Sequence, residues 1–136
     1  MRCVFLRVVT AALVLQGCAH VHDGGQTEDL DHAVDLYWKA VRWQDAVAGS
    51  AFVDAVERTN WLTQRDKQTK DLNLTSFEVQ REKVDKDGAA ATVFLKATWF
   101  QLPSLVEKTG LVEQRWVWVG AQWLVVSEQG GPLPFP

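Results

Sequence analysis

The sequence predicts an α+β domain in which an N-terminal amphipathic helix and a shorter helix pack on a curved four-stranded antiparallel sheet. Three observations predict it: apolar residues recur at helical spacing over 30–41, period-two alternation takes over from residue 77, and two glycine turns punctuate the alternating part. At 136 residues, 47% hydrophobic and 23% charged, the chain suits one modest core and carries no low-complexity segment.

The first helix is written over 27–44. Thr27 is a fair N-cap, Glu28, Asp29 and Asp31 suit the positive end of a helix dipole, and Leu30, Val34, Tyr37, Trp38 and Val41 line one face. Asp35 and Lys39 form an i,i+4 pair on the other face. A second, shorter helix is expected within 45–62, where Val47, Ala51, Val56 and Trp61 offer apolar contacts and Gly49-Ser50 makes a break. Residues 63–71 read as a polar connection whose charges are solvated.

Strands follow. Residues 77–81 alternate, Asp87-Gly88 accepts the positive φ of a hairpin turn, and 89–102 returns as a long strand. Its Val93, Leu95, Ala97 and Trp99 face should meet the helix, with Thr92, Phe94, Lys96, Thr98 and Phe100 on the mixed face. Pro103-Ser104 breaks that strand and Gly110 closes the loop. In the last hairpin Gly120-Ala121 suits a two-residue turn pairing Val119 with Gln122, Trp118 with Trp123 and Trp116 with Val125. Its other face, Val117, Val119, Leu124 and Val126, is also apolar, so a cover is expected there: a second helix, the tail, a ligand or another chain. The tail, 129–136, alternates prolines and cannot continue the sheet; Leu133 and Phe135 either pack back or enter a partner's groove.

The start of the chain speaks to location. Arg2 and Arg7 precede the uncharged run 8–15, the plan of a secretory signal and too short to span a bilayer, which needs about 20 apolar residues. Leu15-Gln16-Gly17-Cys18 then resembles the bacterial lipoprotein signal, the lipobox, with Gln16 departing from its usual small or branched residue. The resemblance implies a signal peptide over 1–17, acylation of Cys18, and, with Ala19 in place of an inner-membrane retention aspartate, outer-membrane attachment facing the periplasm. Two or three acyl chains anchor stably where one does not. The rival is ordinary cleavage after Ala19, which would leave a soluble periplasmic protein. Cys3 leaves with the signal and Cys18 carries lipid, so the mature domain is expected to fold without a disulfide. Residues 18–26 are the lipidated cysteine and a tether; His20, His22 and Asp23 lack the fixed geometry and supporting contacts of a metal site.

Several functions are excluded. A net charge of −3 with scattered cations gives no field for nucleic acid, and no phosphate loop, nucleophile elbow or Cys/His metal set occurs. Tyr37-Trp38-Lys39-Ala40 with Trp43-Gln44-Asp45, and Gln114-Arg115-Trp116-Val117-Trp118 with Gln122-Trp123-Leu124-Val125-Val126, resemble the nuclear-transport-factor-2-like fold and also occur in cystatin-like domains. The resemblance spans 27–128 and implies a sheet wrapped around a helix, often with a pocket or dimer surface. Enzymatic members of that fold set an Asp or His base against a Tyr or acidic donor in a pocket. Here His32, Asp35, Tyr37 and Asp54 are the only aspirants, and no spacing pairs them. Most of the seven tryptophans are needed as core.

The expectation is a non-enzymatic, cofactor-free binding or assembly module, attached to the membrane through Cys18, whose partner is an envelope protein or a second copy. Its candidate pocket or partner surface is Tyr37, Asp54, Trp116, Trp118, Trp123 and Phe135. The alternative is a pocket for a small apolar molecule, with isomerase- or dehydratase-like chemistry.

Overall fold

A computed structural model describes residues 23–135. The signal, Cys18 and the first part of the tether therefore lie outside the described residues. The domain is α+β, with elements in the order α1 (Asp23–Arg42), α2 (Ala46–Ser50), α3 (Arg58–Gln68), β1 (Leu72–Val84), β2 (Ala90–Gln101), β3 (Lys108–Val119) and β4 (Gln122–Gly130). The strands form one antiparallel meander, β1-β2-β3-β4.

Helix α1 starts ahead of the expected Thr27 cap and stops before Gln44, whose left-handed backbone (φ 56°) turns the chain. The expected second helix is two. Asp45 caps α2 by accepting from Ala48 N at 2.9 Å, and a turn separates α2 from α3. Most of the expected polar connection, 63–71, is in fact α3. Its buried stripe has only two members, Trp61 and Arg65, one turn apart, so no apolar periodicity marks it. The two helical pieces meet closely: a Cβ on Gly49 would lie 2.9 Å from the Trp61 ring.

The sheet follows the expected turns. Gly88 (φ 69°) makes the first hairpin, and Gly120 (φ 66°) the last, with Val119 opposite Gln122, Trp118 opposite Trp123 and Trp116 opposite Val125. Strand β1 is longer than the alternating 77–81 core and carries two register shifts, at Leu74/Ser76 and Val79/Arg81. Ala91, Val93, Leu95 and Ala97 are buried beneath α1 residues Leu30, Val34, Tyr37 and Trp38 in one core. Fully burying a side chain such as Leu30, Val34, Val93 or Leu95 contributes roughly 1.5–3 kcal/mol.

Two expectations about the last hairpin change. Its outer face is covered at Leu124 and in part at Val117, whereas Val119 and Val126 remain 48% and 38% exposed. The tail does pair with the sheet. Phe135 exchanges both backbone hydrogen bonds with Glu128 (2.8 and 2.9 Å), because the residue between two prolines keeps its N–H. Leu133 and Phe135 are buried in the main core's margin and not on the sheet's outer face.

Candidate functional site

The expected surface residues divide sharply. Tyr37 and Trp116 are fully buried and Trp123 nearly so, while Trp118 is half-buried against Trp123, ring centroids 5.4 Å apart. Asp54 stands in the α2–α3 turn and accepts from Val56 N at 2.9 Å. His32 borders a shallow depression with Trp118 and Trp123, away from Tyr37's hydroxyl. The structure thus brings no acid–base pair together from His32, Asp35 and Asp54; Asp35 is spent on Lys39 at 2.7 Å.

What Tyr37 meets instead is a buried polar network that the sequence did not announce. Its ring sits edge-on to Trp38, Phe52 and Trp116, and its hydroxyl donates to Glu128 Oε2 at 3.0 Å while accepting from Arg65 Nη2 at 2.6 Å. Arg65 Nη2 also lies 3.3 Å from Glu128 Oε1. Gln114 Nε2 donates to Glu128 Oε2 at 2.7 Å, and its Oε1 accepts from the indoles of Trp38 and Trp116 at 3.1 and 3.2 Å. Each element of the domain's interior except α2 and the first hairpin contributes to this cluster.

A register shift makes it possible. Trp116 pairs with Val125, but Arg115 pairs with Ser127 and Gln114 with Glu128, leaving Val126 as the extra residue of a β-bulge. Without that bulge, period-two alternation would turn Glu128 to the outer face. The local sequence Val125-Val126-Ser127-Glu128 holds no signal for it.

The electrostatics follow from burial. Desolvation, then the charge of Glu128, pushes the Tyr37 phenol far above its usual range, so it remains a neutral donor. Desolvation raises the Glu128 carboxyl, and Arg65, Gln114 and Tyr37 offset only part of this. Burial pulls Arg65 down, but Glu128 and Tyr37 outweigh it and the guanidinium stays charged. Arg65 stacks over Trp61 at 5.0 Å, and both border a cavity of ≈ 20 Å³, room for about one water and for no substrate.

The network reaches the tail through Arg65. Its Nη1 donates to the Leu133 carbonyl at 2.7 Å, and Gln64 and Gln68 Nε2 both donate to the Pro134 carbonyl, at 2.9 and 2.7 Å. Residues 132–135 therefore form a strap across α3 and the open side of β4. Beside Phe135 a depression of ≈ 290 Å³ is lined by Val53, Asp54, Glu57, Val125 and Val126.

Among the described residues no group of His, Cys, Asp and Glu has a metal-binding arrangement, and no helix is long and apolar enough to cross a membrane. No protein-family model and no curated protein matches the sequence. Solved structures do share the fold. The chain is similar to RPA3114, a SEC-C motif containing protein from Rhodopseudomonas palustris, with a TM-score of 0.58 and 12% identity over 68% of this chain and 70% of that one. It is similar to Bdellovibrio bacteriovorus Bd1075 with a TM-score of 0.59 and 12% identity over 77% of this chain, and it spans 41% of that protein's chain. At such identity the likeness is one of fold: a helix-backed, curved antiparallel sheet.

Proposed function

We propose that the chain is a lipid-anchored envelope protein, held at the outer membrane facing the periplasm by acylated Cys18, whose nuclear-transport-factor-2-like domain works by binding and not by catalysis. The observation that carries this reading is how the buried ionisable groups spend their bonds. Tyr37, Arg65 and Glu128 direct most of their bonds at one another and at the strap, leaving only Arg65 Nε and Glu128 Oε1 of this trio without a hydrogen-bond partner among the described residues, and the Arg65 and Glu128 side chains are only 3% and 1% exposed. A general acid or base needs reach to a substrate, and these groups have none. The anchor is supported by Leu15-Gln16-Gly17-Cys18 after an uncharged run, and the outer-membrane address by Ala19.

The pocket reading draws on the depression of ≈ 290 Å³ that Asp54 shares with Val53, Val125 and Phe135. It ranks second because Asp54 already holds its own turn. Intact mass and membrane fractionation of the wild type beside Cys18→Ser test the proposal. Acyl mass and outer-membrane sedimentation are expected for the wild type alone. An unacylated, soluble wild type beginning at His20 would overturn the anchor and favour a diffusible ligand binder.

A further inference from the structure

We propose that the channel between α3 and the β4 edge is a peptide-binding groove, occupied here by the chain's own strap. Its partner ligand is an extended apolar-proline-apolar segment of another envelope protein, followed by a basic residue. The proposal deepens the binding-module reading and rests on it, though not on the lipid anchor.

The groove recognises main chain. Arg65, Gln64 and Gln68 address two successive carbonyls, Leu133 and Pro134, and Glu128 exchanges both backbone bonds with Phe135. None of these contacts needs the strap to be covalently continuous with β4, and strand addition to a sheet edge is an established mode of peptide recognition. Gln64 and Gln68 stand one helical turn apart, so both amides reach a single carbonyl. Arg65 is held in place by Tyr37 and Glu128, which aims its remaining Nη1 at the groove.

Side chains add selectivity. Leu133 and Phe135 fill two sockets, 0% and 7% exposed, and Pro134 between them presets the extended backbone. The strap leaves β4 at Gly130 and Gly131, both left-handed (φ 74° and 62°), where a Cβ would strike Leu111 and Val112 of β3, so only glycines let the chain turn there toward α3. The strap runs antiparallel to β4, so a ligand continuing beyond the Phe135 socket enters the depression lined by Val125 and Val126. Asp54 and Glu57 on that depression's rim select a positive charge there.

The test uses the full chain and a dye-labelled peptide, Gly-Pro-Leu-Pro-Phe-Pro-Lys-Lys, read by fluorescence polarisation. A tethered strap competes at an effective concentration on the order of millimolar, so loosening it with Leu133→Ala and Phe135→Ala should tighten peptide binding by about tenfold or more. Replacing the peptide's lysines by glutamates, or its leucine and phenylalanine by alanines, should weaken binding by a similar factor. A folded double variant that shows no saturable binding overturns the groove. Should the double variant not fold, amide exchange in the wild type decides: an exchangeable strap releases the Phe135 amide many-fold faster than that of Leu95, whereas equal protection makes the strap an integral strand and ends the proposal. A wild-type dimer with straps exchanged between copies would likewise overturn the partner ligand. An acylated chain that binds no peptide fails the groove alone; an unacylated chain that binds it fails the anchor alone.

Discussion

At the scale of single residues, the domain's most consequential choice is a charged side chain in its interior. Arg65 and Glu128 lie 3.3 Å apart with Tyr37 bonded to both. Desolvating two such ions is offset only when both remain paired. Replacing Arg65 by methionine should therefore cost about 3–5 kcal/mol, since it leaves Glu128 buried with a depleted set of donors. Pairing it with Glu128→Leu should recover much of that loss. Urea denaturation checks both, and a single variant as stable as the wild type would contradict the account. Arg65 was the hardest residue to read in the sequence. It stands in Thr63-Gln64-Arg65-Asp66-Lys67, where every neighbour is polar, and a buried guanidinium there looks like any solvated charge. Tyr37 was readable as buried from its place on the α1 stripe, but not the partners of its hydroxyl, which are 28 and 91 positions away.

Between elements, α1 meets β1 through carboxyls as well as through apolar packing. Burial first, then a hydrogen bond with Asp31 and its charge, raises the Glu82 carboxyl from 4.5 to about 8. The folded state thus holds the proton more tightly than the unfolded chain does. Its contribution to stability is complete below about pH 4.5 and is lost as the pH rises through about 8. Because Glu82 remains partly open to solvent, the effect should be about 1 kcal/mol after allowing for screening. Glu82→Gln should flatten thermal stability across that window. An unchanged slope between pH 5 and 8 would assign the pH dependence elsewhere. The regular elements were the most legible part of the sequence: α1 from its spacing, and the hairpins from Asp87-Gly88 and Gly120-Ala121. Helix α3, the β4 bulge and the strap were not, because each depends on contacts between distant segments and leaves no local period.

The whole molecule has two distinct poles. The first half of α1 lies by the β3–β4 turn, where Asp29 and His32 share a depression with Trp118, Ala121 and Gln122. Its end lies at the opposite pole, where Gln44 Nε2 donates to the Leu72 carbonyl and Leu102 N donates to that of Asp71. The stretch of α1 from Asp29 to Arg42 separates the poles by roughly 20 Å. On the proposed anchor, the exposed Leu102, Leu105 and Val106 therefore face away from the membrane. Fluorophores on Ala121→Cys and Leu105→Cys, with the acylated protein in vesicles bearing quencher lipid, should show stronger quenching at residue 121. Stronger quenching at 105 would reverse the orientation and make the apolar loop a membrane contact.

The two register shifts in β1 matter beyond the domain itself. Acyl chains would confine many copies to one surface, where any flat, unpaired strand invites its neighbour to zip alongside. Strand β4 is shielded by the strap and by Phe52, whose carbonyl accepts from Val125 N, but among the described residues no strand pairs with the outer edge of β1. Its bulges break the even spacing of hydrogen-bonding groups, and the exposed Glu78, Arg81 and Lys83 place charge along it. Irregularity at that rim is what would let a crowded layer of these domains stay separate, leaving each one free to choose its partner.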